Sequence, residues 1–316
     1  MSCRRLFVTL TRKGWDMTGT DHRAWELEGK NVVVLGVADE SSIAWGITKA
    51  FADHGARVHI GYQQKFFSRV RRLMLENPTI QGDRCDILND QEITAFFERF
   101  RQQPIDVLVH AIAFAPTELF TEYPSNVSLD AFNQSLSISA HSLCKVVRYA
   151  KPFLRDWGSV ITLTYQASER AEPGYGLMGV AKSALESTVR YLAFELGARK
   201  IRVNAVSPGP IETVAALGIL SAFLRVPEAL DRQRGNIFRN ALDKAREEGP
   251  FPDEFAQLKA AWKHFQDEVA KKCPLEETVS KEDAAQCALF LGSDYARKIT
   301  GQVIHVDCGL STSRSM

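Results

Sequence analysis

From residue 30 onward, short apolar runs alternate with stretches in which apolar residues recur every three or four positions. Residues 31–36 read Asn-Val-Val-Val-Leu-Gly. A continuous run of that kind marks a strand buried on both faces of a parallel sheet. In residues 42–54 the apolar side chains Ile43, Ile47, Ala50 and Phe51 share one helical face. Gly55 follows where a left-handed residue commonly closes a helix. The alternation continues along the chain. It predicts strands at 57–62, 80–86, 107–113, 159–165, 202–207 and 302–306. It predicts helices at 66–76, 90–101, within 128–154, at 175–196 and at 280–291. Ser280, with Asp283 three residues on, has nearly the pattern of a capping box.

Seven strands with helices between most of them predict an α/β fold: one Rossmann-type doubly wound domain, a seven-stranded parallel sheet with helices on both faces. Residues 25–316 are assigned to it. One stretch, 218–272, has no strand pattern. There Phe255, Leu258, Ala261, Trp262 and Phe265 fall at helical spacing, and Gly249-Pro250-Phe251-Pro252 makes a break. It is read as an insertion of two or three helices, either simply packed or acting as a lid over a substrate site. Residues 1–24 are read as a disordered extension. They carry Arg4, Arg5, Arg12 and Lys13 before the first acidic residue, Asp16. A transit peptide and a true start at Met17 are the other readings.

Charge and cysteine content narrow the partners. The chain has 39 Lys and Arg against 38 Asp and Glu, a net charge of +1. That balance gives no support for a general nucleic-acid or membrane partner. The longest uncharged apolar stretches, such as 213–224, fall short of the ~20 residues a spanning helix needs. The cysteines Cys3, Cys85, Cys144, Cys273, Cys287 and Cys308 are scattered, with no CxxC spacing. They argue against a disulfide framework or a metal site and fit a reducing cytoplasm.

The turn after the first strand runs from Gly36 to Gly46, with glycine only at its ends. It does not match the GxGxxG fingerprint. A helix starting near Ser42 still offers free N–H groups and a positive dipole end to a pyrophosphate, and Ser42 adds a hydroxyl. A plain strand–loop–helix has the same pattern. The second strand ends Gly61-Tyr-Gln-Gln64, without the carboxylate that usually binds the ribose diol of NAD. Gln63 can bond a ribose hydroxyl. Lys65 and Arg69 either attract the extra phosphate of NADPH or form a solvated helix face. Asp86, closing the third strand, suits an adenine amino group or a cap.

Tyr175-Gly-Leu-Met-Gly-Val-Ala-Lys182 sets a tyrosine and a lysine seven residues apart, about two turns along one helix face. A tyrosine hydroxyl titrates near ~10. A nearby ammonium is expected to favour its charged form and strengthen it as a donor. Such a pair arises often by chance. Its place beyond the C-terminal end of a strand, where open α/β sheets bind ligands, makes it a candidate catalytic pair.

With these residues the chain resembles the short-chain dehydrogenase/reductase superfamily, and within it the enoyl-[acyl-carrier-protein] reductases of type II fatty-acid synthesis. Most of that superfamily has three residues between tyrosine and lysine. Six, as here, is the enoyl-reductase spacing. Similar too are Gly36-x5-Ser42-Ile43-Ala44, residues 110–116, Leu163-Thr-Tyr165, and residues 168–171, 202–211 and 301–307. The resemblance covers about 27–313. It implies NADH as cofactor, with NADPH also possible, and no metal. It implies an enoyl thioester on acyl-carrier protein or coenzyme A as substrate, and a homotetramer. Tyr175 would bond the thioester carbonyl, Lys182 the nicotinamide ribose, and Tyr165 would be a second tyrosine near the substrate, beside Ala115. Gly36, Ala38, Ser42, Ile43, Gln63, Asp86, Ile87, Ala111, Ile112, Ala113, Thr164, Ile211 and Thr213 would line the cofactor. Plain packing is the alternative for the apolar ones.

The chain also departs from the family pattern. Ala111-Ile-Ala113 stands where the family has Ser-Ile-Gly. The methyl of Ala113 is expected to tighten the nicotinamide site and weaken diphenyl-ether inhibitors such as triclosan. The insertion is longer than the family's substrate-binding loop. Cys308 replaces a glycine and is expected to be buried. Two rival functions stand beside the resemblance. One is a carbonyl reductase or alcohol dehydrogenase on the same fold. The other is a non-catalytic nucleotide sensor that uses the insertion as a partner surface.

Overall fold

The computed structural model describes residues 25–313 except 26 and 234. The extension assigned to 1–24, with Cys3, lies outside the described residues. Seven strands form one sheet: β1 (Asn31–Leu35), β2 (Arg57–Tyr62), β3 (Gln81–Arg84), β4 (Ile105–His110), β5 (Leu154–Leu163), β6 (Arg202–Pro208) and β7 (Val303–Val306). All neighbours pair in parallel, in the order β3-β2-β1-β4-β5-β6-β7. The order reverses between β1 and β4. In such sheets a crevice opens there, beyond the strands' C-terminal ends.

The helices are α1 (Ile43–Asp53), α2 (Phe67–Glu76), α3 (Asp90–Glu98), α4 (Glu118–Thr121), α5 (Leu129–Leu136) and α6 (Ser142–Ala150). They continue with α7 (Met178–Leu196), α8 (Val214–Arg225), α9 (Glu228–Arg232), α10 (Arg239–Glu247), α11 (Glu254–Ala270) and α12 (Lys281–Gly292). β1 shows why its sequence is apolar throughout. Val32 and Val34 pack on one face with Ile47 and Phe51 of α1, Val70 and Leu73 of α2, and Leu289 of α12. Val33 and Leu35 pack on the other with Phe96 and Phe97 of α3, Val146 of α6, and Leu185 and Val189 of α7. Ser42 caps α1 by accepting from the Trp45 N–H. The Ser280–Asp283 capping box at α12 is complete.

Three predicted elements differ in detail. The long helix within 128–154 is two helices, α5 and α6, joined by a π-helical turn at Ser137–His141. Such a turn frequently accompanies a functional site. Here Ser139 in that turn accepts from the Phe114 N–H at 3.0 Å and donates to the Phe114 carbonyl at 2.9 Å, which anchors the loop after β4. β5 starts at Leu154, earlier than 159, because Trp157 adopts a left-handed φ of 68° and lets the strand pass a register shift. Residues 155–157 (Arg-Asp-Trp) hide that start in the hydropathy pattern. The insertion holds four helices, α8 to α11, one more than the upper expectation. Leu220, Phe223, Leu242, Trp262 and Phe265 pack there in one core with Phe120, Met178 and Leu310 from outside the insertion. The predicted break at 249–252 falls between α10 and α11.

Candidate active site

The turn after β1 meets the loop after β4 at Gly36. Its φ is +103°, and a Cβ there would lie 2.1 Å from the Ala111 carbonyl oxygen. Only glycine permits that approach. Past it, Ser42 donates to the Asp39 carbonyl at 2.7 Å, and α1 begins. The first N–H groups of a helix lack partners within it. A bare backbone concavity at a helix N-terminus fits a cofactor pyrophosphate. The loop after β6 closes the side: Thr213 caps α8 by accepting from the Ala216 N–H, and the Val214 N–H reaches the Ser41 hydroxyl at 3.4 Å. Ile43, half-buried, and Ile211, 9% exposed, pack together beside Val279. Ala38 is half-buried in the first turn.

At the adenosine end the structure joins two residues that are distant in sequence. Gln63 Nε2 donates to Asp86 Oδ1 at 3.3 Å. Asp86 Oδ1 also accepts from the Leu88 N–H at 3.0 Å, and Ile87 between them is buried. The two basic residues nearby have partners of their own. Lys65 lies over the Phe66 ring at 5.0 Å, and Arg69 pairs with Asp39 at 3.6 Å.

Beyond β5 sits the tyrosine pair. The rings of Tyr165 and Tyr175 are 4.7 Å apart at 49°, and Phe120 meets Tyr175 at 6.3 Å. Tyr175 and Ala115 border the insertion's core. Tyr175 is not on α7, as its seven-residue spacing from Lys182 implied. That helix begins at Met178, and Gly176 turns the chain with φ +57°. A Cβ on Gly176 would lie 1.7 Å from the Leu119 carbonyl oxygen. The two residues are therefore joined through a turn and not through helical periodicity. The insertion fastens that turn. Gln233 Oε1 accepts from the Gly174 N–H at 3.0 Å, and the Ile237 N–H donates to the Pro173 carbonyl at 3.1 Å.

Lys182 is 5% exposed, and its ammonium donates to the Leu163 carbonyl at 2.9 Å. Burial lowers its pKa to about 8, against the opposing pull of Glu186. The expected activation of Tyr175 by this ammonium is not found. Burial and then the negative charge of Glu172 raise the Tyr175 hydroxyl, so it stays protonated. A protonated phenol is still a hydrogen-bond donor.

Beneath the pair is a polar network that sequence reading missed. Glu186 Oε1 accepts from the Thr164 hydroxyl at 2.6 Å and from the Ser168 hydroxyl at 2.5 Å. Thr164 is thus placed at the end of β5 with its hydroxyl already engaged. His110 is fully buried between Thr162 Oγ1 at 3.0 Å and Ser142 Oγ at 2.7 Å. Burial, then Lys182, lowers its pKa to about 3, which keeps it neutral. A lone Glu on a helix and a His at a strand end carry no sequence signal of burial. Glu172 was missed too: it is 7% exposed, three residues before Tyr175. Ala111, Ile112 and Ala113 form the loop facing Gly36, with Ala113 exposed.

Cys308 is half-buried, not buried as expected, and has a φ of 54°. A left-handed residue there explains why glycine is the easier choice. Among the described residues no group of His, Cys, Asp and Glu is suited to a metal ion.

A doubly wound sheet, a glycine-seated helix N-terminus, a half-buried Tyr165–Tyr175 pair and a buried Lys182 define a Rossmann-type, nicotinamide-dependent reductase. The family model described as enoyl-(acyl carrier protein) reductase matches residues 36–237 and 249–311, and the chain belongs to that family. It is 37% identical over 287 residues to the enoyl-[acyl-carrier-protein] reductase [NADH] of Enterococcus faecalis, covering 90% of this chain and 98% of that one. It is 37% identical to enoyl-[acyl-carrier-protein] reductase [NADH] 1 of Rhizobium meliloti, covering 90% and 92%. The crystal structure of the Aquifex aeolicus enoyl-[acyl-carrier-protein] reductase (NADH) superposes with TM-score 0.74 at 32% identity, covering 92% of this chain and 99% of that chain. The Bacillus cereus enoyl-acyl carrier protein reductase, solved with NADP+ and indole naphthyridinone, superposes with TM-score 0.74 at 35% identity, covering 92% and 99%. The unmatched residues 238–248 hold α10, inside the insertion.

Proposed function

We propose that this chain reduces the double bond of a trans-2-enoyl thioester on acyl-carrier protein, using NADH. The paired rings of Tyr165 and Tyr175 beside buried Lys182 carry this reading. When bound, the nicotinamide supplies a hydride to the β-carbon. Negative charge then grows on the thioester oxygen, and a donor aimed at that oxygen acts most strongly in the transition state. Tyr175 is that donor. Lys182 holds the nicotinamide ribose, and Gln63 with Asp86 receives the adenosine. The intramolecular engagement of Lys65 and Arg69 supports NADH over NADPH.

The test is oxidation of NADH and NADPH by crotonyl thioesters of acyl-carrier protein and of coenzyme A. Turnover fastest with NADH and the carrier protein is expected. Reduction of ketones alone would instead make the chain a carbonyl reductase, and tight NADH binding without turnover a sensor.

Two further results are expected. The free Lys182 ammonium loses its proton at about 8, because burial disfavours the charge. NADH affinity, followed by fluorescence titration, therefore falls as pH rises through that value; equal affinity on both sides of it would refute the role. Triclosan is expected to inhibit weakly, and Ala113→Gly to tighten its binding about tenfold by removing a crowding methyl. Nanomolar inhibition of the unmodified protein would overturn this.

A homotetramer is part of the proposal. On α7, Tyr191 is 77% and Phe194 90% exposed, an apolar face suited to a second copy. Sedimentation velocity checks it. We place the reaction in the cytoplasm, which suits five free thiols among the described residues. No helix among the described residues is long and apolar enough to cross a membrane.

A further inference from the structure

Glu172 has no part in the chemistry described above, yet it is only 7% exposed and its carboxylate acts on both tyrosines. Oε1 accepts from Gln166 Nε2 at 2.9 Å. Gln166 is held in turn by Arg170, whose guanidinium donates to Gln166 Oε1 at 2.9 Å. Oε2 is buried without a partner of ordinary hydrogen-bond geometry. The Tyr165 hydroxyl is a hydrogen-bonding neighbour of this carboxylate, and its ring packs against Tyr175 at 4.7 Å. The Glu172 backbone carbonyl also accepts from the Tyr175 N–H at 2.9 Å, so the residue is fixed to both tyrosines. A buried carboxylate with one unsatisfied oxygen is costly unless it serves a neighbour or takes up a proton.

We propose that Glu172 is a positioning residue that directs the Tyr165 hydroxyl. When Glu172 is ionised, its free oxygen accepts the Tyr165 proton as a hydrogen bond, and that hydroxyl is turned from the substrate. When Glu172 is protonated, its own O–H donates to the Tyr165 oxygen, and Tyr165 donates onward to the thioester carbonyl. The enolate oxygen then has two phenol donors, Tyr175 and Tyr165. Between the two states Glu172 takes up one proton from solvent and its hydrogen bond with Tyr165 reverses direction, while both phenols keep their protons. The inference rests on the proposed site reading, in which both tyrosines face the substrate.

The surroundings bias Glu172 toward its protonated form. Burial raises the Glu172 pKa above the ordinary glutamate value, while Tyr165, Gln166, Arg170 and Lys272 oppose it. Tyr165 and Tyr175 are themselves raised, by burial first and then by Glu172, so both remain protonated over the working range. The sign follows. Activity is highest while Glu172 holds its proton and falls as pH rises through its raised pKa.

The experiment is a pair of titrations on Glu172→Gln, Tyr165→Phe and the unmodified protein. For kcat with an enoyl thioester, the unmodified protein is expected to lose about tenfold across the Glu172 titration, the worth of one hydrogen bond to a developing charge. Glu172→Gln keeps the size of the side chain, accepts from or donates to Tyr165 at any pH, and is expected to show no such step. KM should change little in either protein, because the second donor acts on the developing charge and not on the bound substrate. The second titration needs no turnover. Ultraviolet absorbance of the cofactor-free protein reads tyrosine ionisation, with the Tyr165→Phe spectrum subtracted. Loss of the Glu172 charge is expected to lower the Tyr165 pKa, a shift that a merely structural role would not produce.

The same kcat step in Glu172→Gln, or an unmoved Tyr165 titration, overturns the inference. If Tyr165→Phe leaves kcat untouched at every pH, the placement of Tyr165 at the substrate fails first, and the two failures are told apart. Should Glu172→Gln fold poorly, Glu172→Asp provides the check: a shorter acid is expected to keep the step with a changed midpoint.

Discussion

Tyr175→Phe is expected to lower kcat for an enoyl thioester by about 10²-fold, the usual loss when a donor to a developing oxyanion is removed. NADH affinity should be unchanged, because the ribose is assigned to Lys182 and not to the phenol. The tilted partner ring of Tyr165, 4.7 Å away, keeps its neighbour in shape when only a hydroxyl is lost. The effect should therefore be chemical and not structural. Measured kcat and NADH Kd decide it together. Retention of most of the turnover would remove Tyr175 from the oxyanion and leave Tyr165 as its donor. A joint loss of kcat and NADH binding would show that the hydroxyl organises the cofactor side of the crevice. The raised Tyr175 pKa adds a second condition. The phenol stays protonated through neutral pH, so any acid-side or neutral limb in the rate belongs to another group.

The second large effect is expected at Gly176. Gly176→Ala should destabilise the protein by about 3 kcal/mol or more, since an added Cβ must displace backbone and the residue must keep a left-handed φ. That Cβ would lie 1.7 Å from the Leu119 carbonyl oxygen. The same carbonyl accepts from the Leu177 N–H at 3.3 Å, so the turn has no room to slide along α4. Relief has to come from moving Tyr175 or Leu119, and activity should fall with stability. Thermal unfolding beside Gly218→Ala provides the contrast. Gly218 lies inside α8 with nothing within 4 Å of a new Cβ, so that change should be neutral or stabilising by about 0.5 kcal/mol. Equal midpoints for the two variants would show that the turn before α7 is not rigid.

The order of elements was legible because its cause is local. A strand covered on both faces must be apolar at every position, as Val32, Val33 and Val34 are, and the alternation with helical periods follows from crossover geometry. Caps are local too, so Ser42 and the Ser280–Asp283 box could be read from neighbours a turn away. The π-helical turn after α5 and the early start of β5 were not legible. Each depends on a partner far along the chain: Phe114 for the first, and the edge of β4 for the second.

For the site, the amino-acid sequence by itself determined the residue types and their spacing: a Tyr–Lys pair after a strand, a second tyrosine ten residues earlier, and a long glycine-bounded turn after β1. Those are facts about chemistry that any fold must accommodate. Only the tertiary structure decided how each group behaves. It took Tyr175 off the helix, gave the Lys182 ammonium to the Leu163 carbonyl, and buried Glu172 and Glu186 around the pair. The physical reason is that burial and charge act through space. The pKa of Tyr175, and the free oxygen of Glu172, are set by sums over neighbours that a one-dimensional pattern does not contain.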